Sequence, residues 1–276
     1  MILSPIEQGI KAKVEAVGTP LKDWDIRINY GIKTGFNDAF IITGEKRKEI
    51  IEKDPKSAEI IRPILRGRDI KRYSYEFADL YLITTFPSLK IDIDQYFAVK
   101  QHLMSFGYER LEQTGNKGAR KKTNNQWFET QDSIRYWEDF FRPKIIYPNM
   151  TKFLPFIYDD QSFLTNQKCF IITGNNIEFL TAFLNSSLFK YCFRDSFPEL
   201  QGGTRELSKI FFDKIPVIEV SENMNFRIKN LIYKIQKLKM NNESTNEIEI
   251  EIDDVMFELY NLTEEEKKEI GFIEIQ

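Results

Sequence analysis

The sequence predicts an α+β protein: a mixed-sheet domain with flanking helices over residues 1–218, followed by a small helical region over 219–276. Three observations predict it. Short apolar or alternating runs bounded by turn residues recur through the first two thirds of the chain, which is the signature of strands. Capped segments with apolar residues at i+4 spacing lie among them, so helices and strands are interleaved. Beyond Ile215-Pro216-Val217 only helical periodicity remains.

The first helix is announced by Ser4-Pro5-Ile6-Glu7, a capping box with Pro at the first helical position; Ile6, Ile10 and Val14 share one face and Gly18 stops it. Alternation from Asp25 to Ile32 predicts a strand with one buried face. Lys33–Asp38 turns the chain, and Ala39–Thr43 is expected to return as the partner strand of a hairpin. Charged helices are expected over Glu45–Lys53 and Ser57–Leu65, a turn at Arg66–Asp69, a strand at Asp79–Thr84 and one long helix over Asp92–Gln113. Strands follow at Lys144–Tyr147, Pro155–Tyr158 and Lys168–Thr173, then a helix from Asn176 to about Phe193 and a polar turn at Glu199–Arg205. Ile228, Leu231, Ile232, Ile235 and Leu238 form an apolar stripe that requires a partner. After the polar linker Asn241–Asn246, helices are expected at Asp253–Tyr260 and behind the cap Thr263 with Glu266.

At 276 residues the chain can bury a sizeable core, and its 23 Phe, 12 Tyr and 3 Trp supply much of it. No signal-peptide pattern opens the sequence, no run reaches the roughly 20 apolar residues of a membrane span, and the two cysteines form no framework. A cytoplasmic protein without membrane contact is expected. The net charge of −3 conceals an asymmetry: residues 219–276 hold 14 acidic and 7 basic side chains, whereas residues 1–218 hold 28 acidic and 32 basic ones. A mildly basic body permits nucleic-acid binding without requiring it.

The groups that catalysis needs do not cluster in the sequence. The single histidine, His102, falls in an expected amphipathic helix and is assigned a structural role. Two distant cysteines make no zinc site. No Gly-rich loop joins a strand to a helix, so no phosphate cradle or S-adenosylmethionine pocket of the usual kind can be placed. Glu265-Glu266-Lys267 has no preceding strand and is taken as a solvated helix face rather than a Mg²⁺ nuclease site. No catalytic, cofactor or metal residue is assigned.

Recognition chemistry is better represented. Thr114–Asn125 contains Lys117, Arg120, Lys121 and Lys122, no acid, and a single apolar residue. Arg and Lys bind phosphates, and Arg can pair bidentately with guanine, as Asn or Gln can with adenine. Lys33, Thr34 and Asn37 leave a turn beside two glycines. Arg62, Arg66, Arg68, Lys71 and Arg72 fall within eleven residues, and Arg205 ends a polar, flexible stretch. Asn149 and Lys152, after the Lys144–Tyr147 strand, complete the candidate DNA contacts. Each group also has a plain reading as solvated loop, ordinary turn or ion-paired surface.

Several segments together carry a family resemblance. Ser4–Glu7 leading to Gly18–Trp24, then Gly31–Phe40, resembles the opening of the target-recognition domain of type IIG restriction–modification enzymes, shared with Taq-type adenine-specific DNA methyltransferases. Arg62–Ile70 resembles the motif that follows, and Glu251–Asp254 with Phe257–Glu266 is similar to the C-terminal end of those polypeptides. The resemblance implies sequence-specific recognition of double-stranded DNA, with major-groove base contacts made while a methyltransferase domain flips an adenine. It also implies partners: methyltransferase and nuclease domains in the same polypeptide or in a separate subunit, which would hold S-adenosylmethionine and Mg²⁺. The Asn-Pro-Pro-aromatic signature is absent, and Tyr147-Pro148-Asn149-Met150 is no substitute, so this chain alone is not expected to be an enzyme. The rival readings are a protein-interaction or anti-restriction module with an acidic DNA-mimicking tail, and a self-sufficient metal-dependent nuclease.

Overall fold

A computed structural model describes residues 4–272. The order of elements is α1 (Pro5–Val17), β1 (Thr19–Pro20), β2 (Ile26–Tyr30), α2 (Asn37–Phe40), β3 (Ile41–Thr43), α3 (Gly44–Lys53), β4 (Ile61–Leu65), β5 (Ile70–Lys71), β6 (Ser74–Tyr75) and β7 (Leu80–Ile83). Then come α4 (Phe97–Met104), α5 (Tyr108–Leu111), β8 (Lys144–Pro148), β9 (Met150–Thr151), β10 (Ile157–Asp159), β11 (Leu164–Thr165), β12 (Cys169–Gly174), α6 (Ile177–Asn185) and α7 (Ser187–Phe193). The last part holds β13 (Arg205–Glu206), α8 (Lys209–Phe212), β14 (Pro216–Val217), α9 (Glu222–Met240), α10 (Asn246–Leu259) and α11 (Glu264–Ile270). The α+β class is as the sequence predicts.

The architecture turns on one four-stranded antiparallel sheet, β10-β8-β12-β2, buried on both faces. Its side chains alternate between two cores, as the pleat requires. Ile145, Tyr147, Phe170 and Ile172 enter a core built with α1, α6, α7 and the C-terminal helices. Ile146, Ile157, Cys169 and Ile171 enter the other, shared with the second four-stranded sheet, β11-β4-β7-β3, and with α2, α3 and α4. Two-sided burial explains why β8 and β12 read as continuous apolar runs rather than as alternating ones.

Helix ends follow local chemistry. Ser4 Oγ accepts from Glu7 N at 3.2 Å while the Glu7 carboxylate accepts from Ser4 N at 2.5 Å, and Thr263 with Glu266 repeats the arrangement before α11. The expected long helix over Asp92–Gln113 is instead a 3-10 turn, α4 and α5, broken where Gly107 adopts φ +90°. The expected helix to Phe193 divides at Ser186, whose side chain caps α7. Ser57–Leu65, expected as helix, is a 3-10 turn ending at Ile60 followed by β4; Pro63 lacks the N–H that a helix interior would use. The expected hairpin does not form either. β2 pairs with β12, whereas β3 pairs with β7 in the other sheet, because the turn residues Asn37–Phe40 are helical and redirect the chain.

His102, on α4, donates from Nε2 to the Ala39 carbonyl at 3.0 Å. Burial lowers its pKa, opposed by that hydrogen bond. The folded chain therefore holds the proton less tightly than the unfolded chain, whose histidine titrates near about 6.5. This group contributes no pH dependence well above that value, and stability falls as pH drops through it. Denaturant unfolding should show a decline as pH falls below about 6.5 that His102→Gln removes. The same decline in the variant would assign it to other groups.

Candidate nucleic-acid interface

The segments 66–72 and 148–155 bound an open groove of about 850 Å³, with Asn166 and Lys168 between them. Sheet register builds it. Pairing of Cys169 with Pro148 sets Lys168 beside Asn149, whose N–H donates to the Lys168 carbonyl at 2.9 Å. Asn166 N donates to the Leu65 carbonyl at 3.2 Å, tying the other wall to the same short stretch. Gly67 packs so closely there that a Cβ would lie 3.1 Å from the Lys168 carbonyl oxygen. Of fifteen lining residues, six are Arg or Lys and none is Asp or Glu.

These cations are not equivalent. Arg72, 7% exposed, lies at the floor; it donates to the Asn185 carbonyl and pairs with Glu249 of α10. Arg66 is half-buried and grips Asp69 through Nε and Nη2 at 2.9 and 2.8 Å, which raises its pKa further. Lys71 faces Glu76 at 3.5 Å. Arg68, Lys152 and Lys168 are exposed and make no ion pair among the described residues. Those three offer the groove's uncommitted charge.

A second cationic region adjoins this groove through the backbone. Ile32 bridges to Asn166, and Gly31 lies so near that a Cβ would sit 2.0 Å from the Asn166 carbonyl oxygen, so only glycine fits. One residue further on, Lys33 begins the turn that the Thr114–Asn125 loop covers. Lys33 and Lys121 both pull down the Asp132 carboxyl, whose pKa burial raises, so the two lysines and this acid share one neighbourhood. Lys117, Lys121, Lys122 and Asn37 are exposed and Lys33 is half-buried.

Three candidate contacts serve the scaffold instead. Arg120 is 4% exposed, and its guanidinium donates to the carbonyls of Leu111, Thr34, Glu129 and Trp127 at 2.6–3.1 Å. Burial draws its pKa down to about 10. Thr34 is 1% exposed; its hydroxyl donates to Asn37 Oδ1 at 2.7 Å and accepts from Phe36 N, shaping the turn at Gly35, where φ is +78°. Arg205 is 7% exposed and is held by the Phe197 carbonyl, Asp195 and Glu199. Arg120 is enclosed by backbone carbonyls, which a local charge count does not register, whereas Thr34 and Arg205 are held by partners two to ten residues away in sequence.

The sequence reading also missed residues the groove contains. Lys168 had no local signal, because sheet pairing alone brings it to Asn149. Met150 and Phe153, 45% and 54% exposed, line the same groove. The acids of the C-terminal region are partly internal: Glu249, Asp253 and Glu266 are all under 10% exposed and bonded to Arg72, Ser187 and Lys13. Among the described residues no group of three or more His, Cys, Asp or Glu comes together to hold a metal, and no helix is long and apolar enough to cross a membrane.

Comparison with known proteins gives a family and a fold. Residues 62–217, more than half of the chain, match the family described as the TaqI-like C-terminal specificity domain. Among solved structures, the type IIL restriction–modification enzyme MmeI, in complex with DNA, superposes with a TM-score of 0.58 at 14% identity over 89% of this chain. The type IIG restriction endonuclease BpuSI gives 0.57 at 13% identity over 94%. This chain spans 34% of the length of each.

Proposed function

This chain belongs to the TaqI-like C-terminal specificity domain family, and from that premise we propose that it reads double-stranded DNA through the cationic groove, supplying specificity to adenine methylation and linked cleavage. The observation that carries this reading is the groove itself: six Arg or Lys, no acid, in a chain of net charge −3. Three of the six, Arg66, Lys71 and Arg72, are ion-paired within the chain; the uncommitted Arg68, Lys152 and Lys168, gathered in one concavity of an acidic protein, create a local field suited to phosphate. On this reading Arg68, Lys152 and Lys168 hold the backbone and set the register. Asn149, in the groove, and Asn37, on the adjoining turn, offer amides suited to adenine edges. The methyl donor S-adenosylmethionine and Mg²⁺ belong to methyltransferase and nuclease domains, in the same polypeptide or in a partner subunit.

The test is a salt titration of DNA affinity with a randomised-sequence duplex pool. Each phosphate neutralised contributes about 0.9 to the slope of log affinity against log salt. Arg68→Ala/Lys152→Ala/Lys168→Ala should flatten that slope by roughly 2 to 3 units while the melting temperature barely changes, since exposed unpaired charges contribute little to stability. A folded triple variant with the wild-type slope overturns the assignment of the groove.

A further inference from the structure

The groove contains more than charge. Phe153 is 54% exposed and Met150 45%, and both line it between the cations. Among the described residues Phe153 makes no aromatic or cation–π contact, although rings elsewhere in the chain pack against one another throughout. An uncovered ring is most of a large apolar surface left in water, so it matters what could cover it.

The ring stands on a firm support. β9 is paired to β13 through Thr151–Arg205 and Met150–Glu206, and Leu207 N donates to the Asn149 carbonyl at 2.9 Å. Phe153 N donates to Thr151 Oγ1 at 3.1 Å. The next residue, Leu154, holds φ +50° and is only 2% exposed; Phe156 follows, fully buried. Non-glycine residues keep a left-handed conformation only where the surroundings over-determine it, so the segment is fixed on both sides of the exposed ring.

We infer that Phe153 is a wedge that stacks on nucleobases, entering the base stack of duplex DNA while Lys152 and Arg68 hold the adjoining phosphates. This inference rests on the DNA-binding reading above. A ligand for this groove must present negative charge and flat apolar faces within a few ångströms of each other, and a nucleic acid does both. Apolar side chains inserted at a base step partly unstack and kink the duplex, and pyrimidine–purine steps open most readily. The wedge therefore adds specificity through deformability, without a hydrogen bond to any base edge.

The experiment uses the full chain and a randomised duplex pool in which 5-iodouracil replaces thymine, so that irradiation joins a stacked ring to the base. Mass spectrometry of the cross-linked peptide should place the adduct on Phe153. Phe153→Ala should abolish it and lower affinity about tenfold, the order of one lost base–aromatic stack, with the salt slope unchanged because no charge is removed. Phe153→Tyr should restore both the adduct and the affinity. Adducts elsewhere, with Phe153→Ala binding as tightly as the wild type, would overturn the wedge and leave the cationic groove standing. A wild-type chain that does not bind the pool would overturn both, and the groove-charge titration would have shown it first.

Discussion

A chain that stops at residue 240 is expected not to fold. Helix α10 and its C-cap residue hold Ile252, Val255, Met256, Phe257 and Tyr260, all under 7% exposed, in the core that also contains α1, α6 and one face of the central sheet. Burying such side chains contributes about 1.5–3 kcal/mol each, so their loss removes roughly 8–15 kcal/mol, which matches or exceeds the net stability of an ordinary domain. Losing Glu249 also strands Arg72, a buried guanidinium, at a further cost of about 3–5 kcal/mol. Circular dichroism of the truncated chain should therefore show no cooperative melting transition. A cooperative transition near the wild-type temperature, with DNA affinity retained, would show that the C-terminal region is an appendage.

That expectation reverses the division at residue 218 that composition suggested, and the reason is physical. The stripe Ile228, Leu231, Ile232 and Ile235 was legible as one apolar helix face, but not what it packs against. Its partner is the core around α6, about fifty residues earlier, and nothing local connects the two. Net charge misled in the same way. Acids that make residues 219–276 negative include Glu249 and Glu266, turned inward and ion-paired with Arg72 and Lys13, and Asp253, turned inward and hydrogen-bonded by Ser187. Periodicity found β2, β3, β7, β8, β10 and β12, since two-faced burial and alternation are local patterns, but it took β4 for a helix and passed over the two-residue strands. It could not say which strand lies beside which, and so β3 was joined to β2 rather than to β7.

The site was legible to the same depth. Residue types identified Arg66, Arg68, Asn149 and Lys152 as recognition candidates, and the fold brings these four to one groove through the β8–β12 register. It also separates them from the Thr114–Asn125 loop, which joins the Lys33 turn. Phe153 carried no signal, because an aromatic residue is ordinarily core and only the three-dimensional structure shows one left uncovered. Local charge distinguishes a cationic segment from a neutral one; it does not distinguish a cation facing water from one that organises the segment.

Arg120 is where that distinction has the largest measurable consequence. Arg120→Ala is expected to destabilise the chain by about 3–5 kcal/mol, because hydrogen bonds to a charged group contribute about 1.5–3 kcal/mol apiece and four carbonyls would face a void. For a chain of this size that is a melting temperature lower by roughly 10 °C. The loop should lose its shape as well: Arg120 N donates to the Glu112 carbonyl and Gly115 N to the Arg120 carbonyl, so this residue is the hub of the whole segment. Arg120→Lys should recover little, since one ammonium cannot span the Leu111, Thr34, Glu129 and Trp127 carbonyls that a planar fork reaches together. Lys117→Ala/Lys121→Ala/Lys122→Ala should behave in the opposite way. These side chains are exposed, so stability should hold within about 1 kcal/mol while the DNA salt slope flattens by roughly 2 to 3 units. Thermal melting and salt titration of the two variants side by side separate the roles. If Arg120→Ala melts with the wild type and instead alters which sequences are bound, then Arg120 leaves its carbonyl cage to read a base, and the scaffold role assigned to it fails.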